Sequence, residues 1–383
     1  MPPKLELITE GGTELYVPSG SLTGRTPATH PVFFNPAART NRDISVAVAA
    51  STRPLTYLDV LAGTGARGVR VAREASEKTQ VTIADFSRAS LAVARRNVRK
   101  NRLGERCSVV HGEANHYLTS RFERQEKFEA IDLDPFGTPA PFVLAVMMAA
   151  ADGAVVSITA TDAAVLCGVY PEVSFRRYGS LAVRSEFVHE TGLRILLGFA
   201  ARMGGINDIG IEPVAAHSTL HYLRVFFRAR RGATSADVSM RSIGFLTQCN
   251  ACGERSSGPA PLSRCPSCDS RVRSSGPLWT GRVADEQVLD GALRFAEGAG
   301  WKDAAQTLGS LKGIDGYPPF SYSPEGVCSR LRIPSVPMDR AMDALTGAGF
   351  TAMRQPFEGI GIKTDAGYDE FVSALRKASG TAT

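Results

Sequence analysis

The sequence predicts an α/β fold built on a mostly parallel sheet with helices on both faces, followed by a small cysteine-rich unit and an α+β C-terminal unit. Three observations lead to this prediction. Short apolar segments alternate with helical patterns from residue 55 to residue 160, which is typical of βαβ units. A glycine-rich loop follows the first of these segments, and two Cys-x-x-Cys pairs lie in a segment rich in Ser, Gly and Pro after residue 235.

Length and composition indicate several folded units without a membrane segment. The chain has 383 residues, 43% of them hydrophobic, and a formal net charge of +6, which is enough for two or three domains. No long apolar run is free of charges, and the first residues contain no apolar signal-peptide core, so we expect a cytoplasmic protein. The positive charge is compatible with a polyanionic partner but is equally expected of a mildly basic enzyme.

The first 235 residues are expected to contain an N-terminal arm, residues 1–50, and the sheet domain, residues 51–235. The arm is rich in Gly, Pro and Thr and ends in a helix that starts near Asp43. The predicted strands cover residues 55–61, 81–85, 107–111, 128–134 and 153–160. The predicted helices cover residues 66–77, 87–101, 115–124, 139–151 and 187–203. Two further strands, near 208–215 and 219–230, are expected to pair antiparallel at the sheet edge.

The composition changes after residue 231, which indicates further units. Residues 232–235 are predicted to be a linker or edge loop. The cysteine-rich unit is expected at 236–282 and a C-terminal unit at 283–383. The predicted elements of the C-terminal unit are a helical region at 283–310, two helices within 324–350 separated by Pro334 and Pro337, and a hairpin with a final helix after residue 350.

The loop after the first strand has the composition of a nucleoside-binding loop. Gly63, Gly65 and Gly68 lie between that strand and a helix, in a spacing that lets the backbone approach a ligand closely. Asp85 ends the next strand, where a carboxylate can accept hydrogen bonds from both ribose hydroxyls. The ligand is therefore expected to contain adenosine or a similar nucleoside.

Two cofactors compete for this loop. NAD would place its pyrophosphate at the helix N-terminus, whereas S-adenosylmethionine has no phosphate and presents an ammonium group and a carboxylate. Asp59, at the start of the loop, suits the ammonium group, and Arg42 or Arg67 could bind the carboxylate, so the sequence favours S-adenosylmethionine. Glu113, after the third strand, could contact the adenine amino group, but it or Asn115 could equally cap the next helix.

Residues 132–137, Asp-Leu-Asp-Pro-Phe-Gly, follow a predicted buried strand and could bind a planar base. Asp134 and nearby carbonyls could accept hydrogen bonds from an exocyclic amine, and Phe136 could stack on the base. We therefore predict Asp134 as the catalytic group, whereas Asp132 could assist electrostatically or serve as a structural acceptor. The alternative is an ordinary turn in which Pro135 fixes φ and Gly137 relieves strain.

The spacing Cys249-x2-Cys252-x12-Cys265-x2-Cys268 is that of a structural zinc ribbon. The total of seven cysteines is odd and no secretion signal is present, so we expect reduced thiols. A pair of disulfides, or a site that has lost its metal, is the alternative. Four arginines near the ribbon could contact phosphates or form a solvated face; they are Arg255, Arg264, Arg271 and Arg273.

Several segments resemble the tRNA (guanine-26) N2-methyltransferase family, in particular its archaeal type, over almost the whole chain. The matching segments are residues 132–139, 159–168, 176–179, 189–197, 221–225, 276–279 and 363–366. The resemblance implies a Rossmann-like class I S-adenosylmethionine-dependent methyltransferase domain, joined to a zinc-ribbon-bearing, winged-helix-like α+β C-terminal domain that binds tRNA. It implies mono- and dimethylation of the N2 amine of guanine-26, by a monomer without an evident obligate protein partner.

The same resemblance assigns roles to individual residues. The catalytic carboxylate would be Asp134, and the base would lie between Phe136 and either Phe33 or Phe34. The family's cofactor contacts correspond to Arg42, Arg67, Asp85, Glu113 and Ala114. Residues 354–356, Arg-Gln-Pro, depart from the Arg-Thr-His expected there. Three other functions remain open at this point, namely methylation of another base, methylation of a protein amine, and nucleic-acid binding by an inactive nucleotide fold.

Overall fold

The N-terminal residues form a hairpin before the first long helix. The structure is a computed structural model that describes residues 4–23 and 32–381. Strands β1 (Leu5–Glu10) and β2 (Thr13–Pro18) pair antiparallel across a turn at Gly11, whose φ of +61° favours glycine. A short helix, α1 (Gly20–Thr23), follows, and helix α2 (Arg39–Thr52) begins earlier than the predicted start at Asp43. The sequence prediction of an arm misses this hairpin.

A seven-stranded sheet forms the centre of the fold. Its strands are β3 (Thr56–Val60), β4 (Gln80–Asp85), β5 (Cys107–His111), β6 (Phe128–Leu133), β7 (Ala150–Ala160), β8 (Ile209–Thr219) and β9 (Tyr222–Arg231). Their order is β5-β4-β3-β6-β7-β9-β8; the first five are parallel, and β9 runs antiparallel to both β7 and β8. The predicted parallel sheet with an antiparallel pair at its edge is therefore confirmed.

Two groups of helices pack on this sheet. After α2, the helices up to residue 241 are α3 (Ala66–Arg70), α4 (Arg88–Lys100), α5 (Ala114–Glu123), α6 (Val143–Ala149), α7 (Ala163–Leu166), α8 (Pro171–Tyr178), α9 (Val188–Gly205) and α10 (Ala233–Arg241). Helix α3 continues as a π turn, Val71–Ala75, that contacts α2. Helices α5, α6, α9 and α10 contact one another in sequence, as expected of two layers on opposite faces of the sheet.

In this region one predicted helix is too long and one predicted linker is wrong. The helix predicted at 139–151 covers only Val143–Ala149, because Pro139 and Pro141 lack amide donors and oppose a regular helix there. The linker predicted at 232–235 is the first turn of α10. This helix lies directly over Gly210 of β8, where a side chain would collide with the Ser235 carbonyl.

The cysteine-rich unit is a small sheet that packs against α9. Its strands are β10 (Ile243–Gln248), β11 (Arg255–Gly258) and β12 (Ser274–Trp279), in the order β11-β10-β12. Gly198 of α9 allows this contact, since a Cβ there would lie 2.9 Å from the Trp279 nitrogen. Helices α11 (Glu286–Gly298) and α12 (Lys302–Ser310) then pack on α2, so their apolar residues belong to the core of the sheet domain.

A second, smaller core lies near the C-terminus. It is formed by helices α13 (Pro324–Leu331), α14 (Met338–Gly347) and α15 (Tyr368–Ser379) and by the strands β13 (Ala352–Arg354) and β14 (Ile362–Thr364). These are the helices and hairpin that the sequence predicts for this region. The predicted domain boundaries stay predictions, although α10 spans residue 235. Within 4–23 and 32–381, no helix combines the length and apolar character needed to cross a bilayer.

Candidate active site

The segments predicted to bind the cofactor and the base meet at one edge of the central sheet, where the parallel strands have their carboxyl ends. Strand β3 lies between β4 and β6 in a parallel arrangement, so the loop after Val60, the end of β4 at Asp85 and the turn after Leu133 are neighbours. Open α/β sheets bind ligands at this edge, at the point where the strand order reverses. The fold thus brings together two predicted sites that are far apart in the sequence.

The glycine loop after β3 is held in an open, left-handed conformation. Leu61, Gly63 and Gly65 have φ values of +63°, +56° and +69°, a region that glycine adopts without strain. The Gly63 amide donates a 2.8 Å hydrogen bond to Oδ2 of Asp85. A Cβ on Gly68 would lie 2.8 Å from the Ile83 side chain, so this glycine lets α3 pack closely on the sheet. The loop and the end of β4 therefore form one hydrogen-bonded cradle.

Asp59 lies at the base of this cradle. Its Oδ2 accepts a 2.8 Å hydrogen bond from the Gly68 amide, and no residue that the structure describes donates to its other oxygen. Burial raises the pKa of the Asp59 carboxyl to about 7, because an ionised carboxylate loses hydration there. A cationic group next to Asp59 would restore the charged form, which fits the ammonium group of S-adenosylmethionine.

Two further residues border the nucleoside end of the cradle. Asp85 accepts hydrogen bonds from Gly63 and Ser87, yet a carboxylate has further acceptor sites for ribose hydroxyls. Phe86, next in the chain, is 67% exposed and could cover one face of an adenine. It is not among the predicted site residues, although an aromatic residue directly after the strand-end acid is a signal for such a role.

Glu113 and Ala114 lie at the start of α5. Both carboxylate oxygens of Glu113 accept backbone hydrogen bonds, at 3.1 Å from Asn115 and 2.8 Å from His116. Of the two roles considered for Glu113, the structure therefore shows the helix cap. Ala114 is buried, and its role as a cofactor contact remains a prediction.

Asp132 is a buried structural acceptor. Its Oδ2 accepts hydrogen bonds from the Tyr57 hydroxyl at 3.1 Å and the Ser157 hydroxyl at 2.9 Å, and its carboxylate pairs with Arg67 and Arg224. Burial alone would raise its pKa, but the two guanidinium charges outweigh burial and lower the pKa of Asp132. Because the side chain has no exposed surface, a substrate cannot touch it. Of the two roles left open for Asp132, the structure therefore favours the structural acceptor, which positions Arg67 and does not contact the substrate.

Arg67 links this buried group to Asp134. Its Nη2 is ion-paired with Asp134, and its Nη1 donates to Asn41 and Ser45 at 2.7 and 2.6 Å. The Asp134 side chain is partly exposed, so it is the carboxylate of the turn that a ligand can reach.

Arg42, the other predicted partner of the cofactor carboxylate, is engaged elsewhere. Its Nε and Nη2 each donate a 2.6 Å hydrogen bond to Glu10 of β1. Its Nη1 donates to the Asn35 carbonyl at 3.0 Å. A cofactor carboxylate would have to compete with Glu10 for this guanidinium group, and the hairpin that supplies Glu10 is the element the sequence did not predict.

Phe136 and Phe33 form an aromatic pair beside Asp134. Their ring centroids are 4.5 Å apart at an interplanar angle of 81°, and Phe136 is 73% exposed. Phe34, by contrast, is 3% exposed, lies in the core and contacts the Arg42 guanidinium. Of the two alternatives for the second stacking residue, the structure therefore favours Phe33.

The loop after β7 anchors the turn that contains Phe136. The Gly137 amide donates to the Thr161 hydroxyl at 2.6 Å, and the Thr161 amide donates to the Gly137 carbonyl at 2.9 Å. Asp162 accepts hydrogen bonds from Arg177 at 2.9 Å and from the Tyr178 hydroxyl at 2.8 Å. Residues 159–168 and 176–179, which carry part of the family resemblance, therefore build one support with the turn.

The four cysteines of the predicted ribbon converge. Their Sγ atoms all lie within 4.8 Å of one another, and the Cys249–Cys268 and Cys252–Cys265 distances are 3.6 Å. Zinc–sulfur bonds of about 2.3 Å in a tetrahedron require sulfur–sulfur distances near 3.8 Å. The cluster therefore fits a structural zinc ion, and the cysteines are free thiols rather than disulfides.

One of the arginines near the ribbon has a structural role. Arg255 is buried, is ion-paired with Glu186 and lies over the Tyr322 ring, so it joins the ribbon to the C-terminal core. The other three line an open cleft of about 700 Å³ next to Arg184 and Gln248; they are Arg264, Arg271 and Arg273.

Residues 354–356, which depart from the family pattern, include a buried residue, Gln355. The Gln355 amide donates a 2.6 Å hydrogen bond to Glu190 of α9, and the Lys363 ammonium is 2.9 Å from the same carboxylate. Residue 355 therefore helps to fix the C-terminal core on the sheet domain.

Comparison with known proteins identifies the family. The sequence profile of the N2,N2-dimethylguanosine tRNA methyltransferases matches residues 11–376. The chain belongs to this family. It is 35% identical over 379 residues to the tRNA (guanine(26)-N(2))-dimethyltransferase of Methanothermobacter thermautotrophicus, which covers 96% of this chain and 98% of that protein. It is 34% identical over 380 residues to the protein of the same name from Methanopyrus kandleri, which covers 98% of each.

A solved structure of this N2,N2-dimethylguanosine tRNA methyltransferase family agrees with the fold. Trm1 from Pyrococcus horikoshii, solved in complex with S-adenosyl-L-methionine, matches with a TM-score of 0.84 at 31% identity, over 97% of this chain and 99% of that chain. The family resemblance and the methyltransferase fold predicted from the sequence are thus confirmed.

Proposed function

We propose that this chain transfers one and then a second methyl group from S-adenosylmethionine to the N2 amine of guanine-26 in tRNA. The Phe33–Phe136 pair beside Asp134, in which Phe136 is exposed, supports this most directly, because it lies at the sheet edge that also holds the glycine cradle. A planar base and a nucleoside cofactor would therefore meet at one place. The substrate named for the relatives, at 34–35% identity over nearly the whole chain, supports the choice of tRNA.

The cofactor would lie along the glycine cradle. Asp85 would accept the ribose hydroxyls, Asp59 would bind the ammonium group, and Phe86 would cover the adenine. Arg67 or Arg42 would bind the carboxylate, and either would have to share its guanidinium group with the carboxylate it already pairs with, Asp134 for Arg67 and Glu10 for Arg42.

The target base would enter between Phe33 and Phe136. The two rings now touch edge to face, whereas a base stacked on both faces needs about 7 Å between them, twice an optimal carbon–carbon contact. The rings must therefore separate when the base binds, and the base must leave its own stack in the RNA.

Asp134 would act on the amine of the bound base. Its exposed oxygen would accept a hydrogen bond from the amine and orient the nitrogen lone pair. Bound S-adenosylmethionine would supply the electrophilic methyl group, with the new C–N bond forming as the C–S bond breaks. The proton lost by the amine would pass to Asp134 and then to solvent. Arg67 would hold Asp134 in position, while Asp132, itself paired with Arg224, holds Arg67.

The remaining units would support this chemistry without taking part in it. Zinc at Cys249, Cys252, Cys265 and Cys268 would close a four-thiolate structural site and order a segment that has little core of its own. We further propose that the protein acts in the cytoplasm as a monomer without an obligate protein partner, since one chain supplies both the cradle and the aromatic pair. Light scattering of the purified protein would test the oligomeric state.

Product analysis tests the proposed substrate. The protein would be incubated with S-adenosylmethionine and an unmodified tRNA transcript, and the nucleosides would be separated by mass spectrometry. We expect N2-methylguanosine and then N2,N2-dimethylguanosine, and neither product from the matched transcript with adenosine at position 26. Methylated adenosine, methylated protein, or guanosine methylation that persists in the matched transcript would contradict the proposal.

A further inference from the structure

Helix α8 and the residue before it present an exposed aromatic and basic face next to the catalytic turn. Tyr170 and Phe175 are 56% and 59% exposed, and neither ring stacks on another ring among the described residues. Arg176 is exposed and forms no ion pair with any described residue, including the exposed Glu172 one turn away. Isolated exposed apolar residues are ordinary, but aromatic rings interleaved with a free guanidinium group are typical of surfaces that bind nucleic acid.

The opposite face of α8 fixes this helix to the active site. Ser174 and Tyr178, one turn apart, are buried, and the Tyr178 ring packs against Phe199 of α9 at a centroid distance of 5.5 Å. The Tyr178 hydroxyl reaches the Thr138 hydroxyl at 2.7 Å, two residues after Phe136. Side-chain lengths and helix rise then keep Phe175 within about 25 Å of Phe136, so both can contact one RNA molecule.

Other exposed apolar residues extend the same edge of the sheet. The loop between β8 and β9 reaches this edge, because Leu223 pairs with Ala160 at the carboxyl end of β7, and Leu220 at its tip is exposed. Val169 is also exposed, directly before Tyr170. Exposed apolar side chains that collect around one site indicate an interaction surface rather than scattered surface residues.

We propose that Tyr170, Phe175 and Arg176 form a docking platform for the RNA nucleotides that flank the target guanine. The aromatic rings stack on bases that leave the helix stack, and Arg176 contacts a phosphate. The platform rests on the proposed function and extends it, because it names the part of the chain that positions the RNA while Asp134 and Phe136 act on the base. Tyr170, Phe175 and Arg176 are positioning residues and do not touch the reacting atoms.

The chain offers a matched control at the opposite edge of the sheet. Helix α5 begins at the active-site edge and runs back along the sheet, so Phe122 near its end lies at the far edge. Phe122 and Arg124 are exposed, as are Phe175 and Arg176. The test therefore compares Phe175→Ala and Arg176→Ala with Phe122→Ala and Arg124→Ala, and adds Phe175→Tyr, which keeps an aromatic face.

The measurements are the Kd for unmodified tRNA by filter binding, the KM and kcat for methyl transfer, and the Kd for S-adenosylmethionine. We expect Phe175→Ala to raise the Kd and KM for tRNA by about 5- to 150-fold, the range for loss of one stacked base. The kcat at saturating tRNA and the cofactor Kd should stay within about twofold, and Phe175→Tyr should bind as the unchanged protein does. Arg176→Ala should lower the slope of log Kd against log salt by about one.

Equal tRNA affinity in the α8 variants and the control variants would overturn the platform, and would leave α8 as a surface for another kind of partner. An equal loss of tRNA affinity in Phe175→Ala and Phe175→Tyr would also overturn the platform. These results are distinct from failure of the proposed function, which would show as tRNA that binds but gains no methyl group. Because binding is measured without turnover, it tests the platform in either case.

Discussion

Replacing Phe33 and Phe34 one at a time should separate substrate binding from stability. The two residues are adjacent in the chain, but Phe33 is only partly buried whereas Phe34 is 3% exposed. Phe33 contacts the exposed Phe136 ring at 4.5 Å. Phe34 lies in the core and contacts the Arg42 guanidinium at 4.7 Å. Phe33→Ala should therefore affect the reaction and Phe34→Ala the fold.

The structure sets the size of each effect. Phe33→Ala removes one stacking face for the base, worth about 1–3 kcal/mol, so kcat/KM for tRNA should fall by about 5- to 150-fold. Its free energy of unfolding should change by less than about 1 kcal/mol, because the side chain is only partly buried. Phe34→Ala leaves a cavity in the core and should lower the free energy of unfolding by about 3–5 kcal/mol.

Methyl transfer at varied tRNA concentration and urea unfolding would be measured on both variants. Phe34→Ala, assayed at a temperature where it stays folded, should retain a kcat/KM within a fewfold of the unchanged protein. The reasoning would be refuted if Phe33→Ala turned over tRNA normally, or if Phe34→Ala lost turnover while its stability was unchanged.

Three further predictions concern the cradle, the buried pair and the ribbon. Because burial raises the pKa of Asp59 to about 7 and the cofactor's ammonium group binds the ionised carboxylate, affinity for S-adenosylmethionine should rise about tenfold from pH 5.5 to 6.5 and level off above 7; calorimetry should show a flat profile for Asp59→Asn. Asp132→Asn leaves Arg67 and Arg224 without their buried counter-charge and should lower the free energy of unfolding by about 3–5 kcal/mol; an unchanged urea midpoint would contradict this. Metal analysis should find about one zinc per chain, and Cys249→Ser with Cys265→Ser should abolish it and make the ribbon sensitive to protease; an equally resistant, zinc-free protein would rule out the metal site.

Local patterns predicted most of the sheet, because each strand has its own apolar run and each helix its own boundary signals. The predicted strands agree with β3 to β6 to within a residue at each end and with β7 from residue 153 onwards. The errors lie where a distant contact decides the structure. Helix α10 can pack on β8 because Gly210 leaves room for it, and the hairpin at 5–18 is stabilised by contacts between Glu10 and the arginines of α2 and α3.

The sequence predicted which residue types form the site, but not which ion-pair and hydrogen-bond partners each of them has. The strand-end positions of Asp59, Asp85 and Asp134 follow from the sequence. The different roles of Asp132 and Asp134 depend on Arg224, which pairs with Asp132 from 92 residues away in the sequence. The engagement of Arg42 depends on Glu10 in the same way. Burial and long-range pairing, which decide which charged group can reach a ligand, are not visible in a local motif.

Single-turnover methyl transfer by Asp134→Asn tests the central claim most directly. The unchanged protein and the variant would each be saturated with S-adenosylmethionine and unmodified tRNA, and the methylated guanosine formed at position 26 would be followed over time. Because the amide that replaces the carboxylate cannot accept the amine proton, we expect the rate to fall by about 10²- to 10⁴-fold while both ligands bind with nearly unchanged affinity. A variant that methylates guanine-26 at close to the normal rate would contradict the assignment of Asp134 and with it the mechanism proposed for this turn.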